Sequence, residues 1–444
     1  MSKRPDIDGL RAVAVVPVVL HHAGFTAVPR GFVGVEIFFV ISGFLNTRIL
    51  TRENRDGQFS LLSFYERRAR RILPALFMVL VACLAVGWFL LLPSQYDALA
   101  RSTAATLLFV SNAWFWDTAG DYFGRGVELA PLLHTWSLAV EEQYYLGFPI
   151  LLLVMAKQSR HFCVGLIALI SLISLRLSIR ATTAAPIANF YLTPMRVWGL
   201  GLGALLAIGA FPALRRPLAA EVIGLIGLAM ILGSIVLISD NTPFPGMMAV
   251  PPCAGAAFLI WAGMNNTTSV GRLLASRPIV WIGLISYSLY LWHWPVLVAA
   301  RVQNGSADLP ALTAMICVFL PVLLATASLY LIERPFRIPA SKGGFSRASI
   351  FTGAGTSATL ILGLAVILVV KEGVPSRVPA ELAAKMNKFK GSHCLMDVCR
   401  RWEDGKEPCK IGASNQADAE PRVVVLGGFP CRVFVARHRF LAER

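Results

Sequence analysis

Eleven apolar runs, each close to the length of a bilayer-crossing helix, limit what this chain can become. They lie near residues 10–28, 32–50, 72–92, 140–156, 162–179, 191–209, 218–238, 247–264, 279–300, 311–332 and 349–370. A spanning helix needs about 20 predominantly apolar residues. Within lipid every backbone N–H and C=O must find its partner in the protein, which leaves helices or closed barrels. Continuous runs of this length select helices, so the expected fold is an all-α polytopic membrane protein.

Charge then orders the runs. The chain carries 41 Lys and Arg against 25 Asp and Glu, a net charge of +16, yet only 15% of its residues are charged and 56% are hydrophobic. Soluble domains average roughly 25% charged residues, so the excess of cations does not mark a nucleic-acid partner. Eight Cys in 444 residues are too sparse for a secreted disulfide scaffold.

Lys and Arg accumulate in cytoplasmic loops. With the N-terminus in the cytoplasm, eleven crossings put 19 of the 41 basic residues in inner loops. The outer loops before residue 371 hold five: Arg30, Arg101, Arg125, Arg180 and Arg301. Arg11, Arg176 and Arg196 fall within runs, and 14 more follow from Lys371 onward. Residues 102–116 could make a short twelfth crossing, but that would reverse the bias of every later loop; they are expected to be re-entrant or interfacial. No small-residue cleavage site separates the first two runs, so the first reads as a retained span. The last 74 residues carry 23 charged side chains and read as the start of a soluble segment on the outer side.

Chemistry concentrates in a few stretches. Arg11 and His22, in the first run, are eleven residues apart; on a helix that is one face and about 16.5 Å. An arginine within a span is costly and usually faces a polar interior or a pathway. The plainer alternative has Arg11 snorkelling to the interface and His22 bonded to a neighbouring helix. Glu36, early in the second run and followed by Ser42, is either a partner for an imidazole or interfacial. Arg67, Arg68, Arg70 and Arg71 crowd a helix start. They anchor topology and also suit phosphates, which the guanidinium fork recognises.

The stretch His134-Thr-Trp-Ser137-Leu-Ala-Val-Glu141-Glu142-Gln143 could align His134, Ser137 and Glu141 on one stripe. It holds the ingredients of a Ser/His/acid site, but no nucleophile elbow is present. Adjacent carboxylates leading into an apolar helix are costly unless used or paired, so Glu141 or Glu142 is a candidate base or an orienter of His22. Tyr290 and His293 lie in Ser286-Tyr-Ser-Leu-Tyr290-Leu-Trp-His293-Trp-Pro295, where an interfacial aromatic belt accounts for the Trp and Tyr residues but not for the imidazole. Glu333-Arg334-Pro335 reads as an ion pair closing the tenth run. There is no P-loop, H-E-x-x-H or dinucleotide fingerprint, and no metal constellation emerges. Cys394, Cys399 and Cys409 lie near His393; outside the membrane a disulfide is the better reading than zinc.

Five of these segments, in this order, resemble the membrane acyltransferase-3 family, in the branch that O-acetylates bacterial surface polysaccharides. They are Arg4-Pro-Asp-Ile-Asp-Gly-Leu-Arg11, the Arg11/His22 pair, the arginine cluster ending at Pro74, the segment from His134 to Tyr145, and the one ending at Pro295. The resemblance covers about residues 4–340. It implies ten transmembrane helices (residues 1–340), a linker with an eleventh helix (341–370), and an external SGNH hydrolase-like segment from 371. It implies acetyl-CoA or another acyl-CoA as cytoplasmic donor, no metal, and a glycan hydroxyl as acceptor, such as lipid-linked O-antigen of lipopolysaccharide. The expected location is the bacterial inner membrane, N-terminus in the cytoplasm and tail in the periplasm. Carried over by motif, Arg11, Arg68, Arg70 and Arg71 would engage the donor's phosphates. His22 would be the base or acyl-handling residue, with Glu141 or Glu142 supporting it.

The tail departs from the pattern. An SGNH domain opens on a strand ending in Gly-Asp-Ser-His, with Ser as nucleophile. Here Arg422-Val-Val-Val-Leu-Gly427 supplies the strand, but Gly428-Phe-Pro-Cys431 follows. One inserted base converts codons for Gly-Asp-Ser-His-Ala into codons for Gly-Gly-Phe-Pro-Cys, so residues 428–444 are expected to be an out-of-frame end without a Ser nucleophile or a core. A proton- or solute-coupled transporter is the alternative function; it accounts for intramembrane His, Glu and Arg but not for the ordered motifs.

Overall fold

The computed structural model describes residues 4–121, 129–155, 157–238, 242–378, 423–426 and 432–435. It divides into two compact units, Met1–Gly373 and Val374–Arg444.

Every regular element among the described residues of the first unit is a helix. In chain order its helices are α1 Pro5–His22, α2 Gly34–Arg55, α3 Leu61–Leu90, α4 Pro93–Leu107, α5 Ser111–Asp121, α6 Thr135–Val154, α7 Arg160–Ala184 and α8 Pro186–Tyr191. There follow α9 Val197–Ala207, α10 Pro217–Leu237, α11 Val250–Ala262, α12 Ser269–Leu274, α13 Arg277–Asn304, α14 Ala311–Ala327, α15 Arg334–Arg337 and α16 Arg347–Val370. Local chemistry sets many of the boundaries. Pro5, Pro93, Pro186 and Pro217 each open a helix, where the missing N–H has no intrahelical partner to lose. Ser60, Ser159, Thr268 and Ser346 cap α3, α7, α12 and α16 by accepting a backbone N–H three residues on.

Helix α1 sits in the middle, between α2 and α13. Ile7, Leu10 and Ala14 share one buried cluster with Ile37, Val40, Ile41 and Phe44 of α2, while Val15 and Val19 join Ile285 and Leu289 of α13. Two glycines permit this closeness. A Cβ on Gly34 would stand 2.0 Å from the Ala14 carbonyl oxygen, and one on Gly283 only 1.7 Å from that of Asp8. Small residues at such crossings let helix backbones approach within lipid. The outward surface is apolar, with Phe89 83% and Leu237 81% exposed, which suits hydrocarbon rather than water.

Among the described residues, seven helices are long and apolar enough to cross a membrane, from Gly31–Arg55 to Arg347–Val370, which makes this a multi-pass membrane protein. Four of the eleven expected runs fall short of that standard, each for a visible reason. Helix α1 begins at Pro5 and takes in Asp6, Asp8 and Arg11; α6 takes in Glu141 and Glu142. The runs at 191–209 and 247–264 are shorter helices, Val197–Ala207 and Gly246–Ala262. Residues 102–116 are not one helix, because the chain breaks between α4 and α5 at Phe109, whose φ is 53°. The tenth run is not uniform either: after α14 it widens into a π-helical turn, Ser328–Glu333.

In the second unit, β1 Val423–Leu426 pairs antiparallel with β2 Arg432–Val435, Val423 opposite Val435 and Leu426 opposite Arg432. Strand β1 coincides with the strand expected before Gly427. The rest of the tail, with His393, Cys394, Cys399, Cys409 and the out-of-frame reading of 428–444, lies outside the described residues apart from β2.

Candidate functional site

Two chambers open at opposite ends of α1. Arg11 lines one and His22 the other. Eleven residues separate them, which on a helix is about 16.5 Å and nearly the same face.

The arginine chamber has a volume of about 340 Å³. Arg4, Arg11, Arg48, Arg68 and Arg71 line it against two carboxylates, Asp8 and Glu141. Arg11 Nη1 donates to Asp8 Oδ1 at 3.0 Å. Arg68 lies 4.5 Å over the Tyr145 ring and 5.5 Å over that of Phe64. The Tyr145 hydroxyl donates to Glu141 Oε2 at 3.0 Å, and Ser42, Asn46 and Tyr287 add further polar groups to the wall. Arg11 and Arg71 also line an adjoining cavity of about 320 Å³ with Arg67, Arg70 and Arg337, and among the described residues no carboxylate lines that cavity. This excess of guanidinium over carboxylate makes both cavities receptive to anions, phosphates above all.

The histidine chamber is larger, about 680 Å³. His22, the last residue of α1, faces His293 of α13, with Nδ1 3.1 Å from Nε2. The ring of Trp294 meets His22 edge-on at 4.8 Å, and Arg301 Nη2 donates to the His22 carbonyl at 2.9 Å. His293 Nδ1 lies 2.6 Å from the Tyr290 carbonyl oxygen. His134, just before α6, packs edge-on against both Tyr290 and His293; it is 3% exposed, and neither ring nitrogen makes a well-formed hydrogen bond among the described residues. Across the chamber, Glu36 of α2 and Arg196, the residue preceding α9, form an ion pair. The Arg196 guanidinium lies 5.2 Å from the ring centres of both Trp136 and Phe190. Between the chambers the Ser137 and Tyr290 hydroxyls bond at 2.7 Å, and the Tyr290 hydroxyl also reaches the His134 carbonyl at 3.0 Å.

Several residues stand apart from their expected company. Glu141 belongs to the arginine chamber rather than to His22. It lies seven residues beyond His134, about 10.5 Å along α6, and its bonded neighbour is Tyr145. Glu142 is buried beside it, and neither chamber's lining includes it. Among the described residues the ring of His22 thus bonds His293 and no carboxylate. Glu36 bonds a guanidinium and not an imidazole. Arg70, though it borders the adjoining cavity, is committed elsewhere: it bonds Glu66 and donates to the carbonyls of Phe336, Ile338 and Phe345, clamping α3 to α15 and the segment that follows it. Glu333 accepts from Ser288 Oγ at 2.5 Å and pairs with Arg337. Its neighbour Arg334 lies over Tyr330 instead.

Arg48, Tyr145, Tyr287, Trp136, Arg196 and Arg301 join the chambers without having been singled out for chemistry. Arg196 carried a usable signal, since a lone arginine inside an apolar run is a functional residue by default. Among the described residues no group of three or more His, Cys, Asp or Glu side chains is placed to hold a metal ion.

Comparison with known proteins adds three findings. Residues 4–331 match the family model described as acyltransferase domain. The chain is 31% identical over 366 residues to the O-acetyltransferase OatA of Staphylococcus aureus, covering 77% of this chain and 60% of that protein. A Staphylococcus aureus protein described as a putative O-acetyltransferase is also 31% identical, over 76% of this chain and 58% of its own length. The chain therefore spans less than two thirds of the length of these relatives. No solved structure matches it.

Proposed function

This chain belongs to the acyltransferase domain family, and from that premise we propose that it transfers an acyl group, acetyl in the first instance, from coenzyme A to a glycan hydroxyl. The donor's phosphates sit in the arginine chamber, held by Arg11, Arg68 and Arg71. Its thioester extends along α1 toward His22. The acceptor sugar enters the histidine chamber, whose volume of about 680 Å³ falls within the usual range for ligand sites. Trp136, Phe190, Tyr191 and Trp294 offer ring faces to the apolar faces of a pyranose. His22 takes the hydroxyl proton as the oxygen attacks the thioester carbonyl, a role that contributes typically 10²–10⁴-fold.

One observation carries this reading: a single helix face joins an arginine in an anion-receptive chamber to a histidine in an aromatic-walled one. The bias of basic residues toward the arginine side supports a cytoplasmic donor, an external acceptor and an inner-membrane location. On this reading residues 1–340 are the transferring unit, 341–370 the link, and the segment from 371 an external appendage. The relatives named O-acetyltransferase support the choice of acetyl. A lipid-linked surface polysaccharide is the proposed acceptor.

Membranes bearing the full chain, supplied with radiolabelled acetyl-CoA, test the proposal. Label should pass into glycan, and His22→Ala should abolish its passage. Undiminished transfer by His22→Ala removes His22 from the mechanism. Absence of transfer by the unmodified chain, with proton-coupled solute movement in its place, favours a transporter.

A further inference from the structure

His21, His22, His134 and His293 gather at the His22 end of α1, and the bonds that His293 makes to His22 and to a backbone carbonyl carry directional information. The backbone carbonyl of Tyr290 can only accept. His293 Nδ1 lies 2.6 Å from it, so Nδ1 carries the proton. A neutral imidazole has a single N–H, which leaves His293 Nε2 as an acceptor. Neutrality is the form this ring's surroundings favour. His293 is 2% exposed and bonds no carboxylate among the described residues, so a charge there would be buried without compensation. His293 Nε2 in turn lies 3.1 Å from His22 Nδ1. One of the two nitrogens must donate, and only His22 Nδ1 is left to do so. His22 Nε2 then bears the free lone pair.

We infer that His293 is a positioning residue: its bond to the Tyr290 carbonyl sets its own tautomer, which sets that of His22 and makes His22 Nε2 the proton-accepting atom. This rests on the reading of His22 as the base. The ring geometry fits a relay of this kind. The two planes are 11° apart with centroids 5.3 Å apart, which suits an edge-to-edge N–H···N bond rather than face-to-face stacking. Trp294 against the ring and Arg301 on the His22 carbonyl hold His22 in place from two other directions. A histidine whose second nitrogen is engaged in this way keeps one tautomer and one orientation.

The transfer step balances without an added reactant. The acceptor O–H proton passes to His22 Nε2 while the oxygen forms a bond to the acyl carbon and the carbon–sulfur bond breaks. The leaving thiolate then takes the proton back from Nε2, restoring His22. Throughout, His22 Nδ1–H stays bonded to His293 Nε2, and the transient imidazolium donates more strongly to that same acceptor.

The test uses the full chain in membranes, with His22→Ala, His293→Leu and His293→Gln compared for acetyl transfer from acetyl-CoA. His293→Gln keeps a side-chain acceptor and should stay within about tenfold of the unmodified kcat, while His293→Leu should lose on the order of 10²-fold with the donor KM unchanged. Full kcat in His293→Leu, with His22→Ala inactive, overturns the positioning role. Activity in His22→Ala overturns the base reading instead. Because His293→Leu could fail to fold, solid-state NMR of the unmodified chain labelled with 15N-histidine in bilayers gives a second measurement. With the His22 signals identified by their absence from His22→Ala, a protonated Nδ1 and bare Nε2 is the expected pattern. A protonated Nε2 on neutral His22 overturns the inference.

Discussion

Arg196 and Glu36, 160 positions apart in the chain, form an ion pair with residues only 1% and 2% exposed. The pair ties α2 to the start of α9 across the floor of the histidine chamber. Arg196 Nε also donates to the Phe190 carbonyl at 2.9 Å, whereas Nη2 makes no hydrogen bond among the described residues. Breaking one side of such a pair leaves a buried charge and costs about 3–5 kcal/mol, while replacing both partners with apolar residues of similar size is often neutral. Glu36→Ala or Arg196→Ala should therefore lower the melting temperature sharply in detergent. The double variant Glu36→Met/Arg196→Met should melt near the unmodified protein yet lose acyl transfer, because the chamber has lost its polar floor. A double variant with full activity would make the pair purely structural.

This pair also shows where sequence reasoning reaches and where it stops. Helical period alone places Arg11 and His22 on one face, since that is a property of a single helix, and the apolar runs locate most of the long helices. Which residue meets Glu36 depends on how α2 packs against α9, and no periodicity encodes that. The same limit hid the partner of His22. Glu141 and Glu142 are the chemically attractive choices in the sequence, but they sit about two helical turns along α6 from His134, beside the arginines, while His293 arrives from α13. Arg70 could not be told from Arg68 and Arg71 by spacing. It differs only because the carbonyls of Phe336, Ile338 and Phe345 converge on it.

Close approach of helices carries the geometry of the site, so a glycine can be used to perturb it from a distance. A Cβ at Gly283 would stand 1.7 Å from the Asp8 carbonyl oxygen, forcing α13 away from α1. Gly283→Ala should lower stability by about 1–3 kcal/mol, the usual cost of overpacking, and reduce transfer by separating His22 from His293. Gly165→Ala, where a Cβ meets nothing within 4 Å, is the matched control and should leave both properties unchanged. Thermal melts and transfer rates on the two variants check this. Equal behaviour would mean that α1 and α13 do not need their close crossing.

The Tyr290 side chain and backbone do separate jobs. Its carbonyl accepts from His293, whereas its hydroxyl bonds Ser137 at 2.7 Å and the His134 carbonyl at 3.0 Å. Tyr290→Phe removes only the hydroxyl, and Ser137 Oγ, 3.3 Å from the His134 carbonyl, can still satisfy that oxygen. The expected loss of stability is about 0.5–1.5 kcal/mol, the net worth of a typical hydrogen bond, with the His22 tautomer unchanged. Melting and 15N-histidine spectra of Tyr290→Phe measure both. A switch of tautomer would place the hydroxyl, not the carbonyl, in control of the histidines.

The arginines divide into holders of ligand and holders of structure, and kinetics can separate them. Arg68 and Arg71 face the chamber, where each charge-assisted bond to a phosphate is worth about 1.5–3 kcal/mol. Arg68→Ala and Arg71→Ala should therefore raise the donor KM by roughly 10- to 100-fold and leave the acceptor KM alone. Arg70→Ala should do the reverse of what its neighbours do. It frees α3 from the segment around Ile338, lowering the melting temperature while the donor KM of the surviving folded protein stays near normal. Inorganic pyrophosphate should compete with acetyl-CoA in the unmodified protein and weakly, if at all, in Arg71→Ala. An Arg70→Ala protein that melts normally but binds donor poorly would move Arg70 from clamp to ligand site, and with it the assignment of the chamber's edge.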